Sequence, residues 1–101
     1  MLDYAREAVA MAGTLTRADL DDDRMLQLSL VQLIEMIGEA ARRVTPQGRH
    51  PDIPWADAIA ARNRMIHGYD SISYDVVWQI ATEELPALIR TLERLLPGHR
   101  S

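Results

Sequence analysis

Eight consecutive residues in the second half of the chain combine the side chains that phosphate chemistry uses. Residues 62–69 read Arg-Asn-Arg-Met-Ile-His-Gly-Tyr. The imidazole of His67 can take or give a proton near neutral pH. The guanidinium of Arg62 can hold two phosphate oxygens at once and stabilise negative charge that develops on them. The segment therefore predicts an acid–base group with a phosphate ligand nearby.

The spacing within this segment limits what one helix can bring together. Asn63 precedes His67 by four residues, so on a helix its amide would share the face of the histidine and could orient the ring or a phosphate. Arg62 precedes His67 by five residues, which is about 140° around an ideal helix. Contact between Arg62 and His67 therefore requires a long reach, a distorted helix end or a dimer. On spacing alone, an Arg and a His near the end of an exposed helix are more often solvated charges that favour the helix dipole.

The composition removes several other kinds of site. The chain has 101 residues, no cysteine and no lysine, and its 11 arginines stand against 15 acidic residues for a net charge of −4. Without cysteine there is no disulfide, thiolate nucleophile or zinc finger. Glu35 and Glu39 lie one turn apart but lack the Glu-x-x-His partners of a di-iron bundle. We therefore expect neither a metal site nor a cofactor.

The pattern of apolar residues predicts the elements that position this segment. Pro and Gly cluster at residues 46–54 and 97–98, and helical periodicity fills most of the rest. Pro86 lacks the N–H that would bond to the carbonyl of Thr82, so we expect a kink there or a short fifth helix starting near Thr82. The first predicted helix covers 2–13, and the second runs from the caps Asp21–Asp23 to about Val44. The third runs from Asp52 or Pro54 through Ile66, with Gly68 as the stop, and the fourth starts at Ser71 or Ser73.

These elements predict an all-α fold, an up-and-down bundle of four to five helices in a single domain over residues 1–101, with 97–101 as a frayed tail. No strand pattern competes with the helices. The N-terminus carries charges where a signal peptide needs an apolar core, and no apolar run reaches the ~18–20 residues that span a bilayer. We therefore expect a cytoplasmic protein without membrane contact.

The second predicted helix has an apolar face that is broader than one neighbouring helix can cover. Beside its main apolar stripe, this helix carries a second set of apolar residues, which are Met25, Leu28, Val31 and Met36. Such a helix lies either at the centre of a bundle or in a homodimer interface.

The order of four sequence blocks resembles one known family. Arg62, Asn63, His67 and Tyr69 match the R-x4-H-x-Y signature of HepT-like HEPN domain proteins, the toxin halves of HepT/MntA toxin–antitoxin pairs. Similar blocks occur in the same order as in that family: IGEAARR at 37–43, PDIPW at 51–55, and VW followed by ELPAL within 77–88. The resemblance spans nearly the whole chain, and the first 24 residues match only in helical character.

This resemblance implies a helical bundle that dimerises and places two motifs around one cleft. It also implies a metal-independent ribonuclease in which the ribose 2′-OH attacks the adjacent phosphate, leaving a 2′,3′-cyclic phosphate and a 5′-OH. His67 would be the acid/base, Arg62 the phosphate ligand and Asn63 an orienting residue. Tyr69 would receive AMP from a MntA-like nucleotidyltransferase antitoxin, which blocks the cleft.

Two further hypotheses remain beside the toxin ribonuclease. One is a non-catalytic HEPN module that binds the nucleotidyltransferase and serves as its modification substrate, with His67 mainly structural. The other is a small helical adaptor without a nucleic-acid role, which the net negative charge would suit. Because local patches rather than totals set the potential at a site, RNA binding would depend on an arginine patch, in which we single out Arg64 and Arg43 beside Arg42 and Arg49.

Overall fold

A computed structural model describes residues 1–44, 46–67 and 71–95 of the chain. Within these ranges the fold belongs to the predicted all-α class, with one very short strand pair added. The elements in chain order are α1 (Leu2–Ala12), α2 (Arg17–Asp22), α3 (Arg24–Arg43), a 3₁₀ turn (Pro46–Gly48), α4 (Trp55–Met65), β1 (Ile66–His67), β2 (Ser71–Ile72), α5 (Tyr74–Gln79), a π-helical turn (Ile80–Glu84) and α6 (Leu85–Leu95). The predicted frayed tail 97–101 lies outside the described residues.

The 20-residue helix α3 is the central element of the bundle. The carboxylate of Asp23 accepts a hydrogen bond from the Leu26 N–H, which confirms the predicted acidic cap. The helix buries the predicted apolar stripe between its neighbours α1 and α4, while α6 packs on α1. The most completely buried large side chains of the core come from four helices and the π turn: Leu20, Leu30, Ile34, Met65, Val77 and Ile80. None of the helices in the described ranges is long and apolar enough to cross a membrane.

Helix α2 is an element that the sequence analysis did not predict. Its start is a reciprocal capping box, in which the Thr16 hydroxyl accepts from the Asp19 N–H and the Asp19 carboxylate accepts from the Thr16 N–H. The helix holds Leu20 fully inside the core. A Thr-x-x-Asp pattern could have revealed it, but six residues are too few for a periodic apolar signal to stand out.

The end of the third predicted helix differs from the prediction. That helix, α4, ends at Met65 rather than continuing through Ile66 to Gly68, because Ile66 adopts an extended backbone with φ −78° and ψ 121°. The strands β1 and β2 then pair antiparallel, with Ile66 opposite Ile72 and His67 opposite Ser71. The Ser73 N–H also donates to the Met65 carbonyl at 2.6 Å. This pairing satisfies backbone groups that a helix ending here would leave open.

The disturbance expected at Pro86 takes the form of a wider helical turn. The π turn Ile80–Glu84 precedes α6, and the Leu85 N–H bonds to the carbonyl of Ile80, five residues earlier. Pro86 directly follows this turn, so its missing N–H falls where the hydrogen-bond pattern has already widened from the α to the π spacing. The helix therefore resumes at Leu85, three residues later than the predicted start near Thr82.

Helices α3 and α4 pack closely against each other at Gly38. A Cβ placed on Gly38 would lie 3.1 Å from the carbonyl oxygen of Ala58 and 3.7 Å from that of Ile59. Both atoms belong to backbone, which cannot swing aside as a side chain does. The absence of a side chain at Gly38 thus sets the spacing of the two helices.

We expect Gly38→Ala to lower the free energy of unfolding by about 1 kcal/mol, since overpacking against backbone outweighs the helix propensity that alanine adds. Chemical denaturation followed by circular dichroism measures this change. Ser29→Ala is the matched control, because it adds the same kind of propensity on α3 at a half-buried position away from α4. Gly38→Ala protein as stable as the wild type would contradict the close-approach argument.

Candidate active site

A groove of about 450 Å³ runs between α3 and α4, next to their close packing at Gly38. One wall comes from α3 and the other from the last turns of α4. Its lining is polar and charged for the most part: Gln32, Glu35, Met36, Gly38, Glu39 and Arg42 from α3, with Ile59, Arg62 and Asn63 from α4. Two of the predicted site residues, Arg62 and Asn63, therefore share one open groove.

The side chain of Arg62 spans from α4 toward α3. Its Nε lies 3.4 Å from the Oε1 of Glu35, and the side chain is 61% exposed. Among the residues that the structure describes, Glu35 is the one carboxylate paired with this guanidinium. The terminal Nη groups of Arg62 thus remain available to an anion that enters the groove.

A second carboxylate in the groove, that of Glu39, lies near two other arginines. Glu39 lies 3.7 Å from Arg42 and 3.7 Å from Arg43, both in the last turn of α3. Arg42 lines the groove, whereas Arg43 does not and is 79% exposed. The two glutamates offset the charge of the two groove arginines, so the groove itself is close to neutral.

The predicted positions of Asn63 and His67 on one helix face do not hold. Asn63 is on α4, but His67 lies two residues beyond the end of that helix, in β1. Residues four positions apart lie on one face only within a continuous helix. Helical spacing therefore does not bring Asn63 and His67 together. The side chain of His67 and the whole of Gly68 and Tyr69 lie outside the described part, so their predicted roles remain predictions.

Arg64 lies on a different side of α4 from the groove. Its two terminal nitrogens each donate to one oxygen of Glu84 at 2.6 Å, in a bidentate pair that ties α4 to the π turn. The hydrogen bonds from Arg64 to Glu84 raise the pKa of the arginine. An RNA contact by Arg64 would require this pair to open.

The groove contains one residue whose position the sequence analysis missed. Glu35 entered that analysis only as a possible metal ligand, although it is the partner of Arg62. Its place on the helix surface follows from the periodicity of α3. The register of α3 against α4, which brings it to Arg62, depends on tertiary packing at Gly38 and is not readable from either helix alone.

Comparison with known proteins gives the family of the chain. The family model described as ribonuclease HepT-like matches residues 1–95. The chain belongs to the HepT-like ribonuclease family. The predicted membership in the HepT-like family is thereby confirmed, and the bundle of the described residues is of the HEPN type.

Several relatives carry ribonuclease names. A protein of Thermococcus cleftensis named probable ribonuclease HepT is 29% identical over 100 residues, covering 93% of this chain and 91% of its own. A candidate RNase of Methanocaldococcus jannaschii is 26% identical over 95 residues, covering 92% and 87%. A candidate RNase of Caldanaerobacter subterraneus is 29% identical over 80 residues, covering 77% and 71%. No solved structure shows a significant match. Family and relatives together support a ribonuclease that acts on RNA.

Proposed function

We propose that the chain is the toxin of a toxin–antitoxin pair, a metal-independent endoribonuclease that cleaves RNA through its 2′-OH. His67 is the acid/base, Arg62 holds the phosphate, and Asn63 orients the phosphate or its oxygens. The observation that carries this proposal is the open groove that Arg62 and Asn63 line together, with Arg62 paired to Glu35 through its Nε. The membership of the chain in the HepT-like family supports the choice of RNA as substrate.

In this reaction a base removes the proton from the ribose 2′-OH, and the 2′-oxygen attacks the adjacent phosphorus. The bond from phosphorus to the 5′-oxygen breaks, and that oxygen receives a proton from an acid. The products are a 2′,3′-cyclic phosphate and a 5′-OH, so no water is consumed. Negative charge grows on the phosphoryl oxygens in between, where the Arg62 guanidinium stabilises it.

The reaction needs a base and an acid at the same time, and each chain supplies one histidine in the motif. Two chains that face each other with their motifs supply both groups. This requirement favours a homodimer as the active form, in which the two grooves form a common cleft.

We expect His67→Ala and Arg62→Lys to abolish cleavage of total RNA in EDTA, with loss of cyclic-phosphate ends. His67→Ala removes the proton carrier, and Arg62→Lys keeps the charge but loses the two-point fork. Removal of one such group costs about 10²- to 10⁴-fold in rate. Mapping of the RNA 3′ ends measures the effect.

His50→Ala is the matched control, because His50 is an exposed histidine in the loop before α4. We expect it to cleave like the wild type. If purified His67→Ala protein cleaved RNA as well as the wild type does, the mechanism would be refuted. A wild type that is inactive although Tyr69 carries no AMP would favour the non-catalytic binding module instead.

A strip along α3 that includes two exposed apolar side chains supports the homodimer. Met25 is 78% exposed and Leu28 is 54% exposed. Gln32 and Met36 continue the same side of the helix, since all four positions fall within roughly 80° at 100° per residue. Both also line the groove that holds Arg62. Two chains joined along this strip would bring their grooves together.

We expect Leu28→Glu to convert the dimer into a monomer, because it places a charge in the apolar interface, and to abolish cleavage with it. Size-exclusion chromatography with light scattering measures the mass. Leu15→Glu is the control, since Leu15 is 40% exposed in the turn between α1 and α2 and lies outside the strip. A Leu28→Glu protein that remains dimeric would exclude this strip as the interface.

We further propose that a MntA-like nucleotidyltransferase antitoxin inactivates the toxin by transferring AMP to Tyr69. Tyr69 follows His67 by two residues in the sequence. AMP on its hydroxyl adds both bulk and negative charge beside the motif, and each opposes the entry of an RNA phosphate.

We expect Tyr69→Phe protein to resist modification by such a transferase with ATP while it still cleaves RNA. Intact-protein mass spectrometry measures the added AMP. Tyr74→Phe is the control, because this half-buried tyrosine at the start of α5 leaves Tyr69 in place and should still be modified once. Equal modification of Tyr69→Phe and wild type would place the acceptor elsewhere.

A further inference from the structure

We infer that Glu35 is a positioning residue that holds the Arg62 guanidinium by its Nε side and so leaves the terminal nitrogens to grip the RNA phosphate. This inference rests on the proposed ribonuclease function and adds a residue to its site. It starts from the contact between the Arg62 Nε and the Glu35 Oε1 at 3.4 Å across the groove.

A guanidinium has a side edge that includes Nε–H and an end formed by its two Nη groups. Glu35 occupies the side edge, and among the described residues no other carboxylate pairs with Arg62. The end of the fork is the part that binds two phosphate oxygens in parallel. The contact with Glu35 therefore uses the part of the arginine that phosphate binding can spare.

The ion pair between Arg62 and Glu35 contributes too little to the stability of the fold for stability to be its role. The side chains of Arg62 and Glu35 are 61% and 38% exposed, and ion pairs this exposed contribute little to the free energy of unfolding. An arginine, however, has many rotamers. A partner that restricts those rotamers before substrate arrives lowers the entropy lost on reaching the transition state.

The backbone below the pair makes this restriction effective. Glu35 lies one turn before Gly38, the position at which a Cβ would lie only 3.1 Å from the Ala58 carbonyl oxygen of α4. Arg62 lies one turn after Ala58 on that second helix. Two side chains that start from such closely packed helices have little freedom to drift apart.

The position of Glu35 has a cost for substrate binding. A carboxylate beside a phosphate site repels the substrate, so loss of its charge should lower KM. Loss of its hydrogen bond to Arg62 should instead lower kcat. The two effects have opposite consequences for catalysis, and two neutral replacements separate them.

The test compares Glu35→Gln with Glu35→Met. Both variants remove the charge at similar length, but the glutamine oxygen can still accept from the Arg62 Nε–H and methionine offers only a weak acceptor. Kinetics are measured in EDTA on an RNA oligonucleotide that contains a cleavage site mapped with total RNA. Melting temperature and molecular mass are recorded for each variant to separate positioning from folding and dimerisation.

We expect KM to fall in both variants. We expect kcat to stay within about threefold of wild type in Glu35→Gln, since a neutral acceptor weakens the bond by roughly half. In Glu35→Met it should fall by roughly 10- to 100-fold, since misplacement by about 1 Å costs up to about 10²-fold. Glu93→Gln, which removes the negative charge from an unrelated pair with Arg6 between α6 and α1, serves as the control with unchanged kinetics.

Equal kcat values for Glu35→Gln and Glu35→Met would overturn the inference, because charge alone would then account for the effect of Glu35. A second readout does not depend on catalysis. In ¹⁵N spectra the Arg62 Nε–H signal, assigned with Arg62→Lys, should shift in Glu35→Met and remain near its wild-type position in Glu35→Gln. An unshifted signal in Glu35→Met would refute the contact itself, whereas an inactive wild type would refute the ribonuclease proposal.

Discussion

The spacing of α3 and α4 at Gly38 is the constraint on which the groove depends. A helix pair with a side chain at this position would stand farther apart, since the atoms facing Gly38 are the backbone oxygens of Ala58 and Ile59. The long side chains one turn away, Glu35 and Arg62, meet across the resulting gap. Close backbone packing thus brings polar side chains of two helices together in one site.

The opposite side of α4 is held by a different device. The wider π turn before Pro86 presents Glu84 to α4, where it forms a bidentate pair with Arg64. The next residue, Met65, is fully buried, and the chain then leaves the helix for β1. Arg62 and Arg64 are two residues apart on one helix and therefore face different directions. Arg62 faces an open groove, whereas Arg64 ties the helix to the bundle. Two arginines of one short motif therefore have different structural surroundings.

Most of the fold could be predicted from the sequence, because helical periodicity and caps are local signals. The stripe of α3, the Asp23 cap and the Ser73 cap of α5 all follow from residues within a few positions. The end of α4 could not be predicted in this way. Ile66 can continue a helix, and what turns it into a strand residue is pairing with Ile72, six residues later in the sequence. The prediction that Asn63 and His67 share a helix face failed for this reason.

The candidate site was predictable in its residue types but not in its pairings. Arg62 and Asn63 could be selected because guanidinium and amide groups suit phosphate. The pairing of Arg62 with Glu35 and of Arg64 with Glu84 joins residues 27 and 20 positions apart, so it depends on how the helices pack.

These pairings also account for how an acidic chain can present an arginine to a polyanion. Nonspecific binding to nucleic acid scales with the number of phosphates that free cations neutralise. Here Arg64 is neutralised by Glu84, and Glu39 lies near Arg42 and Arg43. Glu35 offsets the charge of Arg62 but contacts only its Nε edge, so among the described residues no carboxylate occupies the Nη end of the guanidinium. Because its charges nearly cancel, the groove attracts phosphate weakly over long distances. At short range it offers the two terminal nitrogens of Arg62 in a fixed orientation. Selectivity in the proposed reaction therefore comes from geometry at Arg62 rather than from net charge.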